Sequence, residues 1–166
     1  MRRHCLHLGP LWHGLAAAGL CLGLLGSARA DRLPLPPDTP AAYRAECGSC
    51  HLAYPPGLLA SNDWKQLLAR LEHHFASDAR IETPALREIL AFLTRHGAAD
   101  GPRSAGGIPP RISRTAYFER KHRKVPAGLW QDPRVASPAN CEACHRGAAD
   151  GRYSEHDLAL PELRRR

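Results

Sequence analysis

Cys47-Gly48-Ser49-Cys50-His51, CGSCH, recurs in form 94 positions later as Cys141-Glu142-Ala143-Cys144-His145, CEACH. Two cysteines at i and i+3 with a histidine directly behind the second form the pattern for covalent attachment of a c-type haem. Each thiol adds to one vinyl group of the porphyrin, and the adjacent imidazole ligates the iron from one side. Cys47, Cys50, Cys141 and Cys144 are therefore the expected attachment residues for two covalently bound c-type haems, with His51 and His145 as iron ligands. An iron in a porphyrin has two axial positions, and each motif fills one. The group on the far side largely decides between an electron carrier, a gas binder and an enzyme.

The start of the chain bears on where such chemistry takes place. Met1-Arg2-Arg3-His4 is a short basic region, and residues 14–25 (GLAAAGLCLGLL) are apolar. Small residues follow at Ala28 and Ala30. This is the order of a secretory signal peptide, cleaved after Ala30. Its apolar core is too short for the ~20 residues that span a bilayer. Export to the periplasm suits c-type haem, which is attached outside the bacterial inner membrane. Three arginines and no acids leave with residues 1–30, so the net charge falls from +7 to +4. That is too small an excess to argue for nucleic acid.

Of six cysteines, Cys5 and Cys21 lie in the leader, and the other four are the two Cys-x-x-Cys pairs. None remains for a structural disulfide, although export permits one. Two such pairs also suggest a zinc ribbon. Against that stand the 91 positions from Cys50 to Cys141, the histidine behind each pair, and the export signal.

Residues 31–37 form a proline-rich lead-in, after which Thr39-Pro40 reads as the start of a helix carrying Tyr43 into the first motif. Ala53-Tyr54-Pro55-Pro56-Gly57 reads as a loop. Trp64, Leu67, Leu68, Leu71 and Phe75 then form one stripe of an amphipathic helix. Thr83-Pro84 opens another with Leu86, Ile89, Leu90 and Leu93, stopped at Gly97. Residues 97–110 (GAADGPRSAGGIPP) read as an interdomain linker. Ser113 is placed to cap a short helix through Tyr117, Phe118 and His122, and residues 125–140 form a proline-broken loop. The chain is thus mainly α, with haem units at 31–104 and 105–166. Units this small are marginal as ordinary cores, which a covalently held haem relieves.

Methionine, the usual sixth ligand of mitochondrial-type carriers, occurs once, as Met1, and leaves with the signal. The far-side options are histidine, an open position, or less often lysine or tyrosine. Besides His51 and His145, the mature chain offers His73, His74, His96, His122 and His156. At 100° per residue from Trp64, His73 falls opposite the apolar stripe and His74 at its edge, which favours His74. His96 lies at a helix C-terminus, where the dipole gives it a structural role. His122 shares a helix face with Phe118, and the 125–140 loop can return the chain to His145 on the other side. His156 reads as a solvated loop residue.

Four stretches carry a resemblance: ECGSCHLAYPPGLL (46–59), DWKQLLARLEHHFASDARI (63–81), RISRTAYFERKHRKVP (111–126) and VASPANCEACHRGAADGRYSE (135–155). The chain resembles the dihaem cytochrome c family, small exported bacterial cytochromes known as DHC. Its His-Phe pattern matches His74-Phe75, and its Lys-His pair matches Lys121-His122. The resemblance implies bis-histidine ligation, His51 with His74 and His145 with His122. It also implies an N-terminal unit like class I cytochrome c and a smaller, loop-rich C-terminal unit. Where members often carry glycine after His-Phe, this chain has Ala76.

Ligation of that kind leaves no open position for oxygen or peroxide and favours outer-sphere electron transfer at low potential. The expected function is a periplasmic relay, without catalytic residues. Its donor is a membrane cytochrome b or quinol dehydrogenase. Its acceptor is a small soluble cytochrome, and the resemblance suggests an oxygen-binding monohaem one. The alternative is a dihaem enzyme or haem sensor with one displaceable ligand. The basic run at residues 120–124 is placed either to steer an acidic partner or to lie simply in solvent.

Overall fold

The computed structural model describes residues 32–160, so the expected signal peptide (1–30) and the Arg164-Arg165-Arg166 tail lie outside the described residues. Four α-helices carry the fold: α1 (Ala41–Cys47), α2 (Ser61–Leu68), α3 (Thr83–His96) and α4 (Ala116–His122). Single turns of 3₁₀-helix and irregular chain join them. Among the described residues, β-pairing is limited to isolated bridges. No described helix is long and apolar enough to cross a membrane.

The principal core lies in the first half. Tyr43 of α1, Trp64 and Leu68 of α2, and Ile89, Phe92 and Leu93 of α3 pack together with Leu59 and Leu71. Burying aromatic and branched side chains of this size contributes roughly 1.5–3 kcal/mol each. The polar ends are satisfied: Trp64 Nε1 donates to the Pro56 carbonyl (2.7 Å), and the Tyr43 hydroxyl donates to the Tyr54 carbonyl (2.5 Å). On α3 the buried stripe includes Phe92, while Leu90, expected inside, is 37% exposed.

Several helix ends differ from the sequence reading. The α1 N-cap is Pro40; Thr39 instead donates its hydroxyl to the Pro36 carbonyl. Thr115, not Ser113, caps α4, its hydroxyl accepting from the Phe118 amide (3.1 Å). Gly97 ends α3 with an ordinary negative φ of −62°, so left-handed freedom is not its use. A Cβ there would stand 2.6 Å from Ser61 Oγ, so glycine lets α3 close against the start of α2.

Residues 97–110, read as a linker, are tied to the first half. Ser61 donates its amide to the Ala98 carbonyl (2.9 Å) and Ala60 to that of Arg103 (3.0 Å). The buried Asp63 carboxylate accepts from the Ala105 amide (2.7 Å). The lead-in likewise reaches the C-terminal residues, where Leu33 donates to the Gly151 carbonyl (2.8 Å). Gly151 has φ +69°, and a side chain there would collide with Pro34. Fewer side chains are fully buried in the second half, among them Thr115, Val135 and Ala148.

The longest amphipathic pattern breaks early. α2 stops at Leu68, and a 3₁₀ turn, Leu71–His73, replaces the expected continuation to Phe75. Phe75 (φ 51°) and Ala76 (φ 79°) then both adopt left-handed backbone. An L-residue there costs roughly 1–2 kcal/mol, and glycine avoids the cost. Ala76→Gly should therefore stabilise the protein by about 0.5–1 kcal/mol after its extra unfolded-state entropy is subtracted. Thermal melts of the two proteins with matched haem content check this, with a rise of a few degrees expected.

Candidate haem sites

His51 follows α1 by four residues, in the turn that closes the first motif. Its Nδ1 lies 2.8 Å from the Leu52 carbonyl. A carbonyl only accepts, so Nδ1 carries the proton and Nε2 keeps its lone pair for a metal. The ring stacks on Tyr54 at 4.8 Å between centroids. The left-handed turn at Phe75-Ala76 presents His74 to it, with ring centroids 6.2 Å apart and planes at 30°. His73 is exposed. Because α2 ends at Leu68, helical phase does not distinguish His74 from His73; the turn at Phe75-Ala76 brings His74 opposite His51.

The second pair repeats the spacing. His122 ends α4, and its Nδ1 lies 2.8 Å from the Phe118 carbonyl one turn back, which again leaves Nε2 available. Its ring stacks on Phe118 (3.9 Å, 19°), with Trp130 at 5.8 Å. His145 faces it, centroids 6.2 Å apart and planes at 84°. Tyr153 flanks His145 at 5.5 Å. Of the other histidines, His96 bonds the Asp38 carboxylate (2.9 Å) and packs on Phe92, a structural role with a different partner from the helix carbonyls expected. His156 is exposed.

The residues fit a haem on several counts. An imidazole–metal bond is about 2.0 Å and a ring centroid lies roughly 1.1 Å behind its nitrogen, so two rings clasping one metal stand about 6 Å apart. Both pairs show that separation. The Tyr153 hydroxyl, beside His145, is buried without a hydrogen-bond partner, as a polar atom that meets a bound group would be. Beside His122, a cavity of about 630 Å³ has Phe118 and Trp130 on its wall together with Arg111 and Arg114. Apolar and cationic linings together suit a porphyrin, an apolar body bearing carboxylates. Another of about 400 Å³ is lined by Cys50 and His51 of the first motif, by Tyr54 just after it, and by Cys141 and Glu142 of the second.

Among the described residues, no disulfide joins any of Cys47, Cys50, Cys141 and Cys144, so each sulfur is available for attachment. Among the described residues, no three or more His, Cys, Asp or Glu side chains gather into a metal cluster, so the two pairs do not form one four-sulfur site.

Four residues around these sites carried no functional reading from the sequence. Tyr54 was visible only as part of a loop, Trp130 as a lone aromatic in a proline-broken stretch, and Tyr153 as part of a polar one. Arg111 lies with its guanidinium 4.0 Å over the Phe75 ring and also lines the cavity at His122. The usable signal was an aromatic locked between a haem motif and two prolines, as Tyr54 is.

Known proteins resemble this chain in sequence and fold. Residues 43–153 match the model of the dihaem cytochrome c family, DHC. The dihaem cytochrome type c of Shewanella baltica OS155 is 35% identical, covering 73% of this chain and 92% of its own, with a TM-score of 0.64. DHC purified from Rhodobacter sphaeroides is 37% identical over 69% of this chain and 97% of its own, with a TM-score of 0.60. No curated protein matches. The chain belongs to the dihaem cytochrome c family. It is accordingly a mainly helical cytochrome of electron transport that carries two covalently bound c-type haems.

Burial, then the neighbouring His51 and Arg111, hold His74 below the ordinary 6.5; burial chiefly does the same to His122, against its Phe118 bond. A lowered histidine pKa keeps the ring neutral further into acid, and only the neutral ring ligates a metal. With His74 and His122 on iron, as proposed below, the absorption spectrum of the oxidised protein should therefore stay unchanged as pH falls from neutral through 6.5. A high-spin transition centred at or above 6.5 would contradict this.

Proposed function

We propose that this cytochrome is an outer-sphere electron carrier in which Cys47, Cys50 and His51 hold one haem and Cys141, Cys144 and His145 the other. His74 and His122 take the far sides of the two irons. The observation that carries the reading is the pair of imidazole separations, 6.2 Å at each site. When bound, the haem supplies a one-electron iron couple. The protein's part is to fix both rings, to keep each Nδ1–H at His51 and His122 on a carbonyl, and to withhold an open coordination position. Bis-histidine ligation sets both potentials below those of His/Met carriers. No nucleophile or general base is assigned, and the protein is not an enzyme.

The leader in residues 1–30 supports export and a periplasmic location. The donor in this reading is a membrane cytochrome b or quinol dehydrogenase, and the acceptor a small soluble cytochrome, an oxygen-binding monohaem one by family resemblance. The distribution of charge supports an acidic docking partner. Residues 32–104 hold eight Lys or Arg and eight Asp or Glu, and so are neutral overall. Residues 111–124 hold six Lys or Arg against Glu119 alone, and they include His122. A cationic face around one site raises encounter rates with anionic partners.

Carbon monoxide separates the carrier from an enzyme or sensor. The reduced wild-type protein should bind none rapidly. His74→Ala and His122→Ala should each open one iron and take up one equivalent, while His73→Ala should behave as wild type. Rapid stoichiometric binding by the wild type would overturn the reading.

A further inference from the structure

Tyr54 joins the two sites by direct contacts. Its ring lies nearly parallel to His51, 4.8 Å away and at 26°. Its hydroxyl donates to the Ala139 carbonyl at 2.6 Å, across 85 residues of sequence. Ala139 stands two residues before Cys141, the first attachment cysteine of the second motif. Ring and hydroxyl thus end on the two haem-bearing segments, and Tyr54 lines the 400 Å³ cavity between Cys50 and Cys141.

The placement is locally enforced. Pro55 restricts Tyr54 to extended backbone, and Pro56 begins a 3₁₀ turn with both prolines buried. The Tyr54 carbonyl is held by the hydroxyl of the buried Tyr43.

We propose that Tyr54 is the positioning residue that couples the two haem sites electronically, through its stack on His51 and its hydrogen bond to Ala139. This rests on the carrier reading above and adds the route inside the molecule. One electron leaves a ferrous iron, which becomes ferric, and arrives at a ferric iron, which becomes ferrous. Tyr54 is neither oxidised nor deprotonated; the path runs through its ring, the O–H···O=C bond, and the Asn140–Cys141 backbone. The competing route is a direct jump across the cavity, which needs no tyrosine.

Tyr54→Phe keeps the stack and deletes the hydrogen bond; Tyr54→Leu deletes both. The haem-loaded protein, reduced by one electron with a pulse of a small reductant, gives the rate of exchange between the haems. Pulsed EPR gives the distance between the two irons. The expected result is a severalfold slower exchange in Tyr54→Phe and a larger loss in Tyr54→Leu, after correction for the measured potentials and with the distance unchanged. An unchanged rate in both variants overturns the proposal, and so does a slower rate accompanied by a changed distance, which marks a purely mechanical strut. Failure here leaves both irons six-coordinate and inert to carbon monoxide, so it is distinguishable from failure of the carrier reading.

Discussion

The gap between two imidazoles, held open twice within one small chain, is the constraint on which the rest of the structure depends. Facing rings must stand far enough apart to admit a metal and a porphyrin, and neither pair can be left to flexible loops. The first half meets this with a conventional core. Tyr43, Trp64 and the α3 stripe fix α1 and the turn after Leu71, and the backbone cost at Phe75 and Ala76 is carried to present His74. A strained turn beside a ligand persists when surrounding packing over-determines it.

The second half solves the same problem with less protein. α4 is seven residues long, and it is held by the Thr115 cap, the Tyr117 amide on the Pro102 carbonyl, and the Phe118 stack on His122. Its fully buried side chains are few, and Phe118 and Trp130 pack about His122. A covalently bound porphyrin supplies the large apolar body that such a segment lacks. The lead-in on Gly151 and the Tyr54 bond to Ala139 tie these residues back to earlier parts of the chain.

What could be read from the sequence follows from how local each cause is. Cys-x-x-Cys-His is a contiguous chemical unit, and the helical stripes are set by neighbours within two turns, so both were legible. The loss of helix after Leu68 was not, because Leu71 continues the apolar pattern while Arg70 (φ −140°) leaves helical backbone. His74 therefore faces His51 for a reason that periodicity does not encode. Thr115 and Ser113 are equivalent as capping chemistry, and only the turn at Ile112–Arg114 distinguishes them. Tyr54 and Arg111 act across distant sequence, through a hydroxyl on Ala139 and a guanidinium over Phe75, and no single-sequence pattern reports such contacts.

The two pairs share a spacing and differ in orientation, 30° between ring planes at His51–His74 and 84° at His145–His122. Nearly parallel imidazoles split the two iron π-orbitals, whereas perpendicular ones leave them nearly degenerate and give a far more anisotropic low-spin signal. Low-temperature EPR of the oxidised wild-type protein is therefore the most direct measurement. Two low-spin signals of equal weight are predicted, one of ordinary rhombic form and one strongly anisotropic. A high-spin signal of full intensity at either iron would contradict the clasp of two imidazoles from which the electron-carrier role follows.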